Sequence, residues 1–360
     1  MAKTQIQSLR GMNDIFPPES GHLQQLHDRI HAVLARYGYR PLQLPLLEQT
    51  GLFKRAVGEE TDVVSKEMYT FNDRNDESIT LRPEATAGVV RAMIQHGKLQ
   101  QPQRVYAEGP MFRYERPQKG RSRQFSQVSV EAFGMADAAL DAELIPICAD
   151  LFRRLGVLDL LTLELNTIGL ADERHAFQQA LVAYLQNHED ALDDDSRRRL
   201  TTNPLRILDS KTPAMQEIIE QAPKLIDYLE APSREHFEQL RGYLADLGIP
   251  ATLNPRLVRG MDYYNRTVFE WVTDRLGAQA TVCGGGRYDS LIEMLGGKPA
   301  PACGFAIGVE RLLDLVEQAD GLSDAQSLDV YLISSGEGTM SAALRAAEAL
   351  RARGIEVLMH

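Results

Sequence analysis

Long apolar runs are missing from this 360-residue sequence; nowhere do the roughly 18 consecutive apolar residues that a membrane-spanning helix needs occur. The opening MAKTQIQSLRGMND lacks the apolar centre of a secretory signal. Cysteine is scarce. Cys148, Cys283 and Cys303 are odd in number and widely spaced, which excludes a disulfide framework and a CxxC metal site. These absences together lead us to expect a cytoplasmic protein with reduced core thiols and no membrane partner. Positive charge is in deficit as well, with 39 Lys and Arg against 50 Asp and Glu, a net charge of −11. Such a chain does not coat nucleic acid indiscriminately, so any polyanion must be met by local patches. What is present is a 44% hydrophobic fraction, enough for a sizeable core, spread over a length that implies two or three domains.

Residues 18–38 have the spacing of an amphipathic helix, with Leu23, Leu26, Ile30, Val33 and Leu34 on one face. His27 and His31 share that helix four residues apart. No carboxylate or cysteine stands at matching spacing, so an ordinary half-exposed face is expected there rather than a metal site. PLQLPLLEQ is strand-like, and Pro45 within it implies an edge or a bulge. Residues 79–134 alternate strand patterns (ITLRP, RVYAEGPMFRYE, QFSQVSVEAFG) with a helix from Thr86 to His96. The last two strands predict an antiparallel hairpin around the polar stretch Arg116–Arg123. A helix near 138–155 and the alternating LTLELN follow. From Leu170 to Ile249 helical patterns separated by Asn203-Pro204, Pro213, Pro223 and Pro232 indicate a helical insertion. Strand patterns resume at 256–283, ahead of CGGGRYD and PACGFAIGVERLLDLVEQ. After a Gly-, Ser- and Asp-containing linker at 319–328 comes a strand–helix–strand opening, LDVYLIS to IEVLM, with which a doubly wound module would only begin.

Charged residues inside apolar strand patterns are the anomaly, because Arg and Glu are seldom buried unless paired or bound to something. They are Arg82 and Glu84, Arg113 and Glu115, Gln127 and Glu131, Arg259, and Glu310 with Arg311. Side chains alternate along a strand, so Gln127, Ser129 and Glu131 should share one face, as should Arg113 and Glu115. Structural ion pairs at sheet edges are the plain alternative. The functional reading is a reaction that brings two anions together, such as joining a carboxylate to the α-phosphorus of a nucleotide. Its barrier is mostly repulsion and orientation, and clustered guanidiniums lower both. RYERPQKGRSRQF supplies Arg113, Arg116, Lys119, Arg121 and Arg123 against the single acid Glu115, a credible nucleotide or nucleic-acid contact, or else a solvated basic loop. Gly284–Gly286 match no phosphate-binding pattern, and a tight bend is expected there.

With these residues in view, the chain resembles the class II aminoacyl-tRNA synthetases and, among them, the histidyl-tRNA synthetases. Five segments in order carry the likeness: the stretch around Pro45, FRYER…RQF, LVRGMDYYNRTVFEW, CGGGRYDSL and GFAIGVER. The resemblance implies an α+β fold, a mostly antiparallel sheet flanked by helices. Its catalytic core would comprise residues 1–169 and 250–320, with the helical insertion at 170–249. A partial, C-terminally truncated α/β anticodon-binding domain would start at 328–360. It implies activation of L-histidine with MgATP and transfer to tRNA(His) by a homodimer built on the segment around Pro45. By the same resemblance, Arg113 would hold the α-phosphate and the histidine carboxylate, Arg259 the α-phosphate and Arg311 the γ-phosphate. Phe125 would stack on adenine beside Glu115, with Arg121 and Arg123 on the triphosphate. Glu84, Thr86 and Gln127 would take the substrate ammonium, Glu131 and Tyr264 the imidazole, and Tyr263 and Tyr288 would line the pocket. Arg116 and Gln118 would approach the tRNA acceptor end, and no protein side chain is expected to hold a metal of its own.

The pattern departs from the family at Ala85 and Ser129, where glycine is usual, at Ser126, where histidine is, and at Ser122, which is often aromatic. Ser129 stands to crowd the pocket floor. The competing reading is a synthetase-like regulatory subunit of ATP phosphoribosyltransferase in histidine biosynthesis. The intact Arg259 segment and TTNPLRILDSK favour the enzyme over it, and a plain RNA-binding protein has no use for arginines at three phosphate positions.

Overall fold

The computed structural model of the chain describes residues 6–118, 120–202, 204–208, 210, 212–277, 280–319, 321–322 and 328–360. Lys119 of the basic loop, Asn203 and most of the 319–328 linker lie outside the described residues. The first half of the chain begins with α1 (Glu19–Arg36), the short β1 (Arg40–Pro41), β2 (Leu47–Gln49), α2 (Thr50–Val57), β3 (Tyr69–Asn72) and β4 (Ser78–Leu81). It continues with α3 (Thr86–Gln95), the long hairpin β5 (Gln103–Phe112) and β6 (Gln124–Phe133), α4 (Ala138–Arg154) and β7 (Thr162–Thr167). A helical stretch follows, α5 (Ala171–Gln186), α6 (Asp194–Thr202), α7 (Gln216–Glu220) and α8 (Ala231–Asp246). The chain then returns through β8 (Thr252–Leu253), β9 (Asn265–Val272), β10 (Thr281–Arg287), α9 (Ser290–Met294), β11 (Ala302–Gly308) and α10 (Val309–Gln318). Last come β12 (Val330–Leu332), α11 (Met340–Arg351) and β13 (Val357–Met359), whose two strands pair in parallel as a small sheet of their own.

The main sheet has eight strands in the order β1-β5-β6-β11-β10-β9-β7-β8. Its pairs are antiparallel except at the two edges, β1 on β5 and β7 on β8. Strand alternation divides the residues of β6 cleanly. Val128, Val130 and Ala132 enter the core formed with α1, α4 and α10, while Gln127, Ser129 and Glu131 face the other way. In register opposite those three stand Gly308, Ala306 and Gly304 of β11. Small residues across from polar ones leave a hollow where two ordinary strands would fill the space. On the core side, Leu26, Ile30, Val33 and Leu34 of α1 are buried as the helical spacing predicts. The helix α4 presses Ile145, Cys148 and Phe152 against the same side of the sheet. All three cysteines are free and buried, although the sulfurs of Cys148 and Cys283 lie 3.7 Å apart.

Two expectations are corrected here. The glycines of CGGGRYD form no bend; Gly284–Gly286 run inside β10 between β9 and β11. A Cβ on Gly284 would stand 2.6 Å from the Arg259 guanidinium, so the missing side chain is what admits that arginine. Arg82, Glu84, Arg113 and Glu115 are not inside strands. They follow the last residues of β4 and β5, where the chain leaves the sheet, and Glu310 and Arg311 open α10. Pro45 falls between β1 and β2, consistent with its effect on a ladder.

Candidate active site

On the polar face of β6 lies a small cavity of about 60 Å³. Glu84, Thr86, Arg113, Gln127, Ser129, Glu131, Arg259, Tyr263, Tyr264 and Tyr288 all contribute to its wall, from five separate stretches of sequence. Glu131 is buried, with 1% of its surface exposed. Thr86 Oγ1 donates to its Oε1 at 2.7 Å, and the Tyr288 hydroxyl hydrogen-bonds its Oε2. Burial, only partly offset by those two donors, pushes the Glu131 carboxyl up to about 8. Glu84 is held by the N–H groups of Thr86 (2.7 Å) and Ala87 (2.9 Å), so it also caps the start of α3. Burial raises its pKa against the pull of those same N–H groups. Tyr263, Tyr264 and Tyr288 make an aromatic wall, with ring centroids 4.7 to 6.4 Å apart. Ser129 reaches the cavity with its Oγ buried and lacking a hydrogen-bond partner among the described residues.

Arg113, Gln127 and Arg259 also line a larger adjoining cleft with Glu115, Gln118, Arg121, Ser122, Phe125, Glu270, Glu310 and Arg311. Four arginines, Arg113, Arg121, Arg259 and Arg311, meet here, among acids that include Glu115, Glu270 and Glu310. Burial lowers the Arg311 pKa first, and the neighbouring charges of Arg121 and Arg113 lower it further against the pull of Glu115 and Glu270. A phosphate chain is the kind of ligand that relieves such crowding. The Arg311 guanidinium is oriented by the carbonyls of Gly120 (3.2 Å) and Thr281 (2.8 Å). Arg113 is fixed through Nε on the Pro83 carbonyl at 2.9 Å, its guanidinium 5.3 Å from the centroid of Phe125. Arg259 pairs with Glu270 and lies over Tyr264, 5.5 Å from the ring centroid. Burial works to lower its pKa, but Glu270 and the two tyrosines outweigh it and hold the group charged.

The basic loop divides differently from its sequence. Arg121 reaches Glu115 at 2.6 Å beside the cleft. Arg123, expected on the triphosphate, is not part of the cleft wall: it stacks 3.8 Å over Tyr114, donates to the Glu115 carbonyl at 3.1 Å, and its N–H bonds Gly11. Its place just before β6 leaves it bonded to the backbone of Gly11 and Glu115 instead. Arg116 is exposed, outside both hollows, whereas Gln118 borders the cleft. Glu270 and Gly304 were missed in the sequence. Glu270 stands in TVFEWV as a lone acid in an apolar strand, the signal that singled out its neighbours. A side chain at 304 would collide with the Glu131 carboxylate. Asp141 and Arg287, fully buried behind the cavity, were missed too.

Comparison with known proteins follows the same lines. Residues 11–312 match the family model described as histidyl-tRNA synthetase. The chain belongs to that family. It is 57% identical to the histidine–tRNA ligase of Dechloromonas aromatica and 56% to that of Bordetella avium, over 99% of this chain and 83% of each relative. The structure resembles apo histidyl-tRNA synthetase of Staphylococcus aureus with a TM-score of 0.80 at 35% identity, covering 99% of this chain and 85% of that one. This synthetase identity favours the aminoacylating enzyme over the regulatory-subunit reading. Among the described residues, no helix is long and apolar enough to cross a membrane.

The buried carboxyl gives the synthetase fold a distinctive pH response. Between the ordinary 4.5 and about 8, the folded chain binds a proton at Glu131 that the unfolded chain has lost. This group therefore makes the empty fold less stable as pH rises through that window, and no further above it. Glu131→Gln, melted calorimetrically without ligand, should lose less of its Tm between about pH 5 and about pH 8.5 than the parent does. Parallel curves for the two proteins would show that Glu131 titrates normally.

Proposed function

We propose that this chain activates L-histidine with MgATP to histidyl-adenylate and transfers the histidyl group to the 3′ end of tRNA(His). One observation carries the reading: a cavity walled by Glu131 and three tyrosines shares Arg113 and Arg259 with an arginine-lined cleft. In the first step a histidine carboxylate oxygen bonds to the α-phosphorus, and the bond to pyrophosphate breaks. Arg113 and Arg259 serve both sides of that exchange, neutralising the carboxylate–phosphate repulsion, and Arg311 takes the far end of the triphosphate. Phe125 offers its face to adenine with Glu115 at its edge, and Arg121 adds charge beside them. Glu84, Thr86 and Gln127 meet the substrate ammonium. Glu131, already hydrogen-bonded on both oxygens, still has lone pairs for an imidazole N–H. Magnesium enters as part of the nucleotide substrate. In the second step the terminal ribose hydroxyl attacks the carbonyl carbon, the bond from that carbon to the phosphate oxygen breaks, and the hydroxyl proton passes to the departing AMP phosphate, with Arg116 and Gln118 meeting the acceptor end. The exposed Leu46 and Leu47 next to Pro45 support a homodimer through that segment, and the cytoplasm is where such a reaction is needed.

Pyrophosphate exchange with each of the twenty amino acids tests this. A cavity that hydrogen-bonds the ring leaves buried polar groups unpaired with any other side chain, so histidine should exceed every competitor by ~10⁴-fold. Absence of exchange with histidine would leave the regulatory reading in its place.

A further inference from the structure

The sequence left His27 and His31 without a third ligand; the fold supplies one. Glu108 of β5 is 77 residues from His31, yet its Oε2 lies 2.6 Å from His31 Nε2 and 3.3 Å from His27 Nδ1. One ring nitrogen from each histidine and a carboxylate oxygen all fall within 4.8 Å of one another. Spacing along α1 does not reveal Glu108, because β5 comes beside the helix only in the folded chain.

We propose that His27, His31 and Glu108 bind one divalent transition-metal ion of the zinc type, fastening α1 to β5. Two imidazoles and a carboxylate are a recurrent donor set for zinc, with water completing a tetrahedron. Bonds of about 2.0–2.1 Å put tetrahedral ligand atoms roughly 3.4 Å apart. The His27–Glu108 separation already matches. His31 and Glu108, now at hydrogen-bond distance, need only exchange their shared proton for the ion and part slightly. His27 Nδ1 is buried with no hydrogen-bond partner among the described residues, the condition in which a ligand atom waits for an ion. None of the three belongs to the cavity or the cleft, so the site is separate from the chemistry. Its effect is mechanical: α1 leads directly into β1, which pairs with β5, and an ion would close that corner.

The chain, stripped with chelator, is titrated with Co²⁺ and followed by visible absorption, then back-titrated with Zn²⁺. One equivalent should produce the ligand-field band of a four-coordinate site, and Zn²⁺ should abolish it and raise the Tm. His31→Ala and Glu108→Gln should each weaken binding by at least ~100-fold, more than the loss of a supporting outer-shell group. Glu108→Gln keeps the shape of the side chain and its capacity to accept a hydrogen bond, which separates a lost ligand from a lost fold. His22→Ala, on the same helix but bonded to Glu317, should bind like the parent. No band in the parent overturns the proposal. So does undiminished binding by Glu108→Gln, which would put the ion elsewhere.

Discussion

Arg259→Ala should cut histidine-dependent ATP–pyrophosphate exchange by at least ~100-fold while leaving the fold intact, the loss expected when a charge contact to the transition state is removed. Three features set the size of the effect. Arg259 borders both hollows, so its guanidinium is at hand for the carboxylate and the phosphate alike. It is held in place by Glu270 and Tyr264 before substrate arrives, which spares the cost of ordering it at the moment of reaction. And it rests on Gly284, where any side chain would push it away. Glu270, left unpaired in the variant, stands partly exposed at the cleft, so the global fold should tolerate the change. Exchange within a fewfold of the parent, with unchanged melting, would remove Arg259 from the chemistry. Lysine at 259 should restore only part of the rate, since a point charge replaces a planar fork.

The elements that place Arg259's partners were largely legible beforehand. Helical spacing picked out the buried face of α1, and alternation put Gln127, Ser129 and Glu131 on one side of β6, because both patterns are local. Reading failed where position depends on what lies across the sheet. Arg113 and Glu115 continue an apolar run and so resemble strand residues, yet the ladder ends at Phe112 and frees them to point into the cleft. The glycines of β10 resemble a bend because their reason is not local either; it is the guanidinium above them and β11 beside them. Glu108 is invisible as a partner of His27 and His31 for the same cause. As for the site, the resemblance named the charged, threonine and tyrosine residues of the cavity wall, while Gly304 and the position of Arg123 required the folded chain.

Asp141→Ala should be the most damaging change for stability, at about 3–5 kcal/mol, because it strands a buried charge. Arg287 is 0% exposed. It meets Asp141 Oδ1 at 2.5 Å and Oδ2 at 3.2 Å, and spends its remaining donors on Asp289 and the carbonyls of Met135 and Asp137. Asp141 in turn accepts from Thr267 Oγ1 at 2.7 Å and contacts His236 Nε2 at 2.7 Å. One carboxylate thus joins α4, β9, β10 and α8. Burial would raise its pKa, but His236 and Arg287 outweigh that and hold it low, so its contribution is present at neutral pH and is lost only as pH falls through that lowered value. The alanine variant removes the counter-charge and leaves the guanidinium without an exit to water. Urea unfolding should show the loss directly, and replacing the pair together, as Asp141→Leu with Arg287→Met, should recover much of it, since a matched apolar pair leaves no charge to desolvate. If the single variant unfolds at the parent's midpoint, water must reach Arg287 and the network does not bind the helical segment to the sheet. If the double variant is as weak as the single one, the cost lies in packing around α4 and not in the stranded charge.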